Sequence, residues 1–124
     1  MHTAKFDRSK ARPTPTPQFF EGSVSMQELV PASVSDEVTV TAVFFEDGAR
    51  TRPHVHDSDQ VLAVVEGTCV VADETQRREL HSGEYAHVSA GQWHWHGAAP
   101  GNSACHLSIR KLGATDWTVP TRDW

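Results

Sequence analysis

Apolar residues in this chain occur in short runs that glycines and prolines interrupt. The runs are rich in β-branched and aromatic side chains, and no segment keeps the 3.6-residue apolar period of a long amphipathic helix. They therefore predict strands, which cover residues 19–30 with a break at Gly22, and 38–45, 60–65, 68–73, 77–80, 85–88, 93–97 and 103–110. Many short strands joined by glycine turns indicate an all-β sandwich or barrel.

The chain outside these strands divides into two further parts. Residues 1–18 are polar, and Pro13, Pro15 and Pro17 favour an extended arm that cannot join the middle of a sheet. Two possibilities for this arm stay open, since it either lies across a neighbouring subunit or is loosely ordered. Residues 19–112 form the predicted barrel, and residues 113–124 are expected to pack as a tail on the barrel or on a partner.

Length, charge and cysteine usage narrow the class of protein. A chain of 124 residues fits a single domain, and a net charge of −5 without a basic cluster argues against a nucleic-acid partner. No apolar run approaches the roughly 20 residues of a membrane span, and the N-terminus lacks the apolar core of a signal peptide. Cys69 and Cys105 have no CxxC spacing, so we interpret them as buried thiols of a cytoplasmic protein.

Four side chains at related positions offer atoms that bind first-row metals: His54, His56, Gln60 and His94. On an extended chain His54 and His56 point the same way, and Gln60 keeps that parity. The pattern therefore predicts a metal centre. Nitrogen and oxygen donors without a thiolate suit Mn²⁺, Fe²⁺, Ni²⁺ or Zn²⁺, and the ligand types do not choose among them. The alternative is a barrel that has lost its metal and keeps the histidines only as hydrogen-bonding groups.

The segments around these residues resemble the two characteristic motifs of the cupin superfamily. In the first motif the register is kept by Gly48, His54, His56 and Gly67, and Gln60 stands where cupins usually have glutamate. In the second, Gly83, Gly91 and His94 match, whereas Ser89 and Ala98 replace the usual proline and asparagine. The resemblance covers Val38 to Ile109. It implies a single-domain jelly-roll β-barrel that holds its metal inside.

A narrower resemblance rests on Gln60, the Trp-His-Trp-His sequence at residues 93–96, and the His-Leu pair that begins at His106. These features are similar to small single-domain cupins that include manganese-dependent hydroxynitrile lyases. The resemblance implies Mn²⁺ as the favoured metal and a homodimer or higher homo-oligomer. Apolar surface for such pairing is offered by Phe19, Phe20, Trp95 and Trp117, and a short barrel also leaves strand edges that need cover.

A neutral ligand set has a chemical consequence. Three imidazoles and one amide oxygen leave the full double positive charge on a divalent ion, so it should be a stronger Lewis acid than with glutamate at position 60. Four protein ligands on an octahedral ion also leave two positions open. Such a centre could polarise a bound carbonyl, cyanohydrin or hydroxyl oxygen.

Two further histidines are candidates for proton transfer. His96 lies two residues beyond His94 and shares its face on a continuous strand, where it could act as a general base near pH 7. The alternative is a structural histidine with a buried hydrogen bond. His106 is the second candidate, on a polar strand face that also carries Ser108 and Arg110. Parity alone would turn that face to solvent, and only the resemblance implies that it lines the pocket.

The remaining pocket residues are expected on the strands that flank the metal ligands. Thr41, Val43 and Phe45 alternate along one strand, and Leu62 shares the parity of Gln60, so these four should form the wall of a largely apolar cavity. Arg110 would favour a carboxylate or enolate substrate if it points inward, and the lyase-like relatives usually carry a neutral residue there. The alternative is a surface arginine.

Three functions fit these features. The leading hypothesis is a metal-dependent lyase that acts on a small oxygenated compound, with cyanohydrin cleavage as its named version. The second is an oxygenase that takes a chelating diol or enolate and dioxygen. The third is a small-molecule-binding module without catalysis. The fold does not discriminate among them, because cupins host all three.

Overall fold

The computed structural model describes all 124 residues and is built almost entirely from β-strands. Two short 3-10 helices lie near the N-terminus, at Arg8–Lys10 and Pro17–Phe19. The thirteen strands are β1 (Arg12–Pro13), β2 (Phe20–Glu21), β3 (Val24–Val30), β4 (Thr39–Phe45), β5 (Arg50–Thr51), β6 (Val55–His56), β7 (Gln60–Glu66), β8 (Thr68–Asp73), β9 (Arg77–His81), β10 (Tyr85–Val88), β11 (His94–Ala98), β12 (Ala104–Arg110) and β13 (Thr115–Asp116). No helix is long and apolar enough to cross a bilayer.

The strands form two principal antiparallel sheets and a small third one. The first sheet has the order β1-β3-β4-β12-β7-β10, the second has the order β2-β5-β11-β8-β9, and β13 pairs with β6. The longest ladders join β12 to β4 and β7, and they fix the register of the polar face that the sequence predicted on residues 106–110. In both large sheets, neighbouring strands are often not consecutive in the sequence, as in a jelly roll.

The main core lies between the two large sheets. Val43 and Phe45 project from β4 in the first sheet and pack against Cys69 and Ala98 of the second. Phe45 is only 1% exposed. Alternation along β4 therefore buries one set of side chains between the sheets, as the period of two predicts.

The N-terminal arm lies against its own barrel. Pro13 pairs through β1 with the edge of β3, a position that proline tolerates because its missing N–H would face away from the sheet. Further toward the N-terminus, Phe6 packs on the ring of Phe44 at 5.6 Å between centroids. The side chain of Gln27 accepts a hydrogen bond from the Asp7 backbone N–H and donates one to the Lys5 carbonyl.

The C-terminal tail also packs on the barrel, and this corrects one expectation about the surface. Trp95 is only 5% exposed, so it is not free apolar surface for subunit pairing. Arg50 lies over the rings of both Trp95 and Trp124, 5.3 and 4.2 Å from their centroids. Trp93 is held by the tail as well, because its indole N–H donates to the Pro120 carbonyl at 2.7 Å. The tail thus covers the outer side of β11.

Most predicted strands are present within one or two residues of the expected bounds, but four two-residue strands were not predicted. These are β1, β5, β6 and β13. A ladder of two residues has no recognisable apolar period, and its position depends on tertiary packing rather than on local sequence. Two of them, β6 and β13, contribute directly to the site described next.

Candidate metal centre

Three imidazoles meet inside the barrel. His54 and His94 face each other across an isolated antiparallel bridge, in which each backbone N–H donates to the other carbonyl at 3.0 and 3.1 Å. His56 ends β6, and its side chain projects to the same side as His54. The three rings each offer one nitrogen, and these nitrogens lie within 4.8 Å of one another. Their exposures of 1%, 6% and 0% place all three away from bulk water.

Hydrogen bonds outside the cluster orient each ring. Nδ1 of His54 lies 2.8 Å from the Arg52 carbonyl, and Nδ1 of His94 lies 3.0 Å from the Gln92 carbonyl. A carbonyl can only accept, so both rings carry their proton on Nδ1 and turn the lone pair of Nε2 toward the cluster. Nδ1 of His56 lies 2.9 Å from the Thr115 hydroxyl oxygen, and its buried Nε2 has no partner. This arrangement is typical of histidines that bind metal through Nε2.

Gln60 supplies a fourth donor. Its side-chain N–H donates to the Ser108 hydroxyl at 2.7 Å, which turns the amide oxygen toward the histidines. Oε1 then lies 3.2 Å from Nε2 of His94. Two acceptor atoms at this separation repel each other unless a cation lies between them. The residues present therefore fit a divalent ion, with three neutral imidazoles and one amide oxygen as its ligands.

The electrostatic environment keeps the ligand histidines neutral. Burial is the largest cause that lowers the pKa of His54, His56 and His94, and for His56 it lowers the pKa to about 3. The Arg110 guanidinium and then the His94 imidazole lower the pKa of His56 further. A neutral imidazole is the form that binds a metal, so the ligands are available near neutral pH.

His96 stands beside the ligands on β11. Its ring centroid is 5.4 Å from that of His54, and its Nε2 is buried without a hydrogen-bond partner. The backbone of His96 donates to the Thr51 hydroxyl at 3.1 Å. This contact needs β5 to pass close to β11, which is possible because the next residue, Gly97, has no side chain to strike the Arg50 backbone.

His106 lies behind His96 rather than in the cavity. Its Nε2 is 2.9 Å from Nδ1 of His96, and it is fully buried. The polar face of β12 does turn inward, but His106 is four residues deeper in the barrel than Arg110. It is therefore placed to orient His96, and it does not border the space a substrate would occupy.

A cavity of about 160 Å³ opens next to the metal ligands. Its walls are Phe20, Met26, Thr39, Thr41, Val43, Thr51, His54, His56, Gln60, His96, Ser108, Arg110, Leu112 and Trp117. A cavity of roughly 150 Å³ accommodates a benzene molecule, so the space suits a small organic ligand. Only five of the fourteen lining residues are hydrophobic, but most of the surface that faces the cavity is apolar, as is usual for small-molecule sites.

The cavity includes three of the five residues that the sequence assigned to substrate binding. Thr41, Val43 and Arg110 line it, whereas Phe45 and Leu62 do not. Phe45 lies below the cavity floor, where its ring contacts His106 at 5.2 Å between centroids. Leu62 is completely buried in the middle of the first sheet. Parity predicted the correct face for both residues but could not predict how deep along the strand the cavity ends.

Two tail residues belong to the site and were not assigned to it by sequence. Trp117 lines the cavity, with its ring 4.3 Å from that of His54 and stacked on Phe19 at 4.5 Å. Thr115 holds the His56 ring. No spacing pattern links these residues to the histidines. The pairing of β13 with β6 brings them there, and only a concentration of tryptophan in the tail hinted at a packed segment.

Comparisons with known proteins agree with this geometry. Residues 42–109 match the Cupin domain family. The chain is 36% identical over 109 residues to an (R)-mandelonitrile lyase from Granulicella tundricola. The aligned region covers 85% of this chain and 83% of that protein. Among solved structures, a cupin-like protein from Thermotoga maritima is 27% identical and superposes with a TM-score of 0.76, covering 99% of this chain and 90% of that one. The polyketide cyclase RemF from Streptomyces resistomycificus shares the fold, with a TM-score of 0.78, 17% identity, and 96% and 87% coverage.

Proposed function

This chain belongs to the cupin family, and we propose that it is a metal-dependent lyase that cleaves a small hydroxynitrile to a carbonyl compound and hydrogen cyanide. The observation that carries the proposal is the unpartnered Nε2 of His96 beside a buried set of neutral metal ligands. The similarity to a mandelonitrile lyase over most of both chains supports the same reaction class.

A divalent ion bound by His54, His56, Gln60 and His94 would supply Lewis-acid polarisation of the substrate oxygen. Mn²⁺ is our preferred ion, and Fe²⁺, Ni²⁺ and Zn²⁺ are compatible with the same donors. The protein's own contribution begins with exclusion of water, since the ligands and His96 are all buried. The cavity walls, among them Val43 and Trp117, hold the apolar part of the substrate.

His96 would move the proton. Burial, followed by the neighbouring imidazoles, lowers its pKa well below the usual range, so at neutral pH the ring is neutral and its Nε2 lone pair can accept a proton. The substrate hydroxyl gives its proton to Nε2 as the carbon–oxygen double bond forms. The bond to the nitrile carbon breaks, its electron pair leaves with cyanide, and cyanide takes the proton back from His96 as hydrogen cyanide.

His106 would keep His96 in the correct tautomer. If Nε2 of His96 is the base, its proton is on Nδ1, which then donates to Nε2 of His106 at 2.9 Å. That hydrogen bond strengthens when His96 becomes an imidazolium, because the donor then carries positive charge. His106 therefore acts as a positioning residue for the base.

The proposal is tested by cyanide release from mandelonitrile with protein loaded with Mn²⁺. We expect turnover in the loaded protein and none in His54→Ala, which should also lose the metal. Oxygen consumption with a chelating diol or diketone, together with no cyanide release from any hydroxynitrile, would instead establish the oxygenase alternative and overturn the lyase proposal.

A further inference from the structure

Arg110 is the one permanently charged side chain among those that line the cavity. It stands at the end of β12, where its Cα pairs with that of Gln60 on β7 and that of Thr39 on β4. Its backbone carbonyl accepts a hydrogen bond from the Thr39 hydroxyl at 2.9 Å, which fixes the end of the strand. The guanidinium is thus carried on the same sheet as a metal ligand and shares a cavity with His96.

This guanidinium has no partner within the protein. Arg110 takes part in none of the ion pairs, and its Nη1 is buried without a hydrogen-bond acceptor. The acidic residue whose charge acts on it, Asp57, uses its carboxylate to accept from the Ala114 backbone N–H at 3.0 Å, outside the cavity lining. Arg110 is half-buried, and a guanidinium nitrogen removed from water without an acceptor is costly, so the position favours a ligand that brings a negative charge.

The charge of the whole cavity also favours a ligand that carries negative charge. Its lining contains no carboxylate, and the four metal ligands are neutral groups. With a divalent ion in place, two charges from the ion and one from Arg110 would face a cavity that no carboxylate lines. Like charges in one cavity repel each other, and an anionic ligand would offset that repulsion.

We infer that the substrate carries a carboxylate, which binds the Arg110 guanidinium while the reacting hydroxyl faces His96 and the metal ligands. The position of the reacting hydroxyl rests on the proposed function, whereas the carboxylate contact depends only on Arg110. The substrate class is therefore a small α-oxygenated compound, such as a hydroxynitrile, with an acid group a few atoms from the hydroxyl. A guanidinium fork suits a carboxylate because it can donate two parallel hydrogen bonds.

A surface groove next to the cavity fits an anionic substrate. Met26 and Thr41 border both spaces, and the groove also carries Lys10 and Arg12 opposite one acidic side chain, Glu28. The chain as a whole has a net charge of −5, whereas the groove, with its two exposed cations, carries a net positive charge. Such a positive groove attracts anions to the entrance of a site.

The experiment compares mandelate with mandelamide, which has the same shape but no charge, by calorimetric binding to metal-loaded and metal-free protein. Mandelate should bind roughly 10- to 100-fold more tightly than mandelamide, the range expected for hydrogen bonds to a charged group. The preference for mandelate should persist in metal-free protein. If the carboxylate instead bound the metal ion, the preference would disappear when the metal is removed. Arg110→Gln should remove the preference by weakening mandelate binding, and it should leave the metal content unchanged.

Arg78→Gln is the matched control, since it removes an equal charge from the exposed strand β9 and should change neither affinity. Equal affinities for the two probes, or an undiminished preference in Arg110→Gln, would overturn the inference. Cyanide release from mandelonitrile is measured separately on the same proteins. Failure with both mandelonitrile and a hydroxynitrile that carries a carboxylate would refute the lyase proposal and leave the binding result standing.

Discussion

Oε1 of Gln60 and Nε2 of His94 lie 3.2 Å apart, and both atoms are hydrogen-bond acceptors. Each orientation is fixed from outside, because Gln60 donates its amide N–H to Ser108 and His94 donates Nδ1–H to the Gln92 carbonyl. The two lone pairs therefore converge on one point, as ligands of a cation do. This relationship makes position 60 the place where the charge of the centre can be changed with little change in shape.

Gln60→Glu should keep the metal and lose rate. The new carboxylate can still accept from Ser108, whose hydroxyl is free to turn, so the ligand geometry should survive. The added negative charge weakens the stabilisation of the developing oxyanion, which lowers kcat. Metal content and kcat should be measured together on the purified variant. A faster Gln60→Glu enzyme would show that the charge argument is wrong and would favour a redox role for the metal.

His96→Ala should separate metal binding from turnover. The metal content should be unchanged, because His96 is not among the converging ligands, and kcat should fall roughly 10²–10⁴-fold if its imidazole transfers the proton. His87→Ala is the matched control, since that exposed histidine pairs with Asp59 on the surface. Normal activity in His96→Ala would make this histidine structural and refute its role as the base.

The sequence predicted that His54 and His56 share a face because that part of the geometry is local, whereas His94 joined the candidate ligands through the resemblance to the cupin motifs. His54 and His56 are two residues apart on an extended segment, and a period of two fixes the direction of their side chains. The two strands at residues 60–66 and 68–73 were also predicted from local sequence, because each contains an apolar run and a glycine turn joins them.

The rest of the site depends on contacts that no local pattern contains. Thr115 reaches His56 across 59 residues of sequence, and Trp117 reaches His54 because the tail folds back on the barrel. Depth along a strand is also non-local, which is why Phe45 was expected in the cavity and lies beneath it. Parity fixes which face a side chain occupies, whereas neighbouring strands and the tail decide where the open space begins.

Thr115→Val should weaken metal binding. The valine has a similar shape but cannot accept the Nδ1–H of His56, so the ring loses the hydrogen bond that holds it in place. Loss of such an outer contact typically lowers metal affinity 10- to 100-fold. The affinity can be measured by competition with a chelator. Thr115→Ser should restore the wild-type value because it keeps the hydroxyl.

Thr118→Val provides the control for the tail itself. Its hydroxyl donates to Asp116 and contacts no metal ligand, so its loss should leave the metal affinity unchanged. If Thr115→Val and Thr118→Val bind metal as tightly as the unaltered protein, the Thr115 contact does not position His56.

Acid should destabilise the metal-free protein, and His106 should account for a defined part of that effect. Burial lowers the pKa of His106 to about 4 from an ordinary value of 6.5. Between these two values the unfolded chain binds a proton at this residue and the folded chain does not, so the free energy of unfolding rises with pH across that window. As the pH falls from 6.5 toward 4, the stability is lost at up to about 1.4 kcal/mol per pH unit for this single group.

His106→Leu removes the titrating group, and its free energy of unfolding, measured with urea at several pH values, should therefore change less steeply by about that amount. Parallel pH dependence in the two proteins would show that His106 becomes protonated in the folded state as readily as in the unfolded chain.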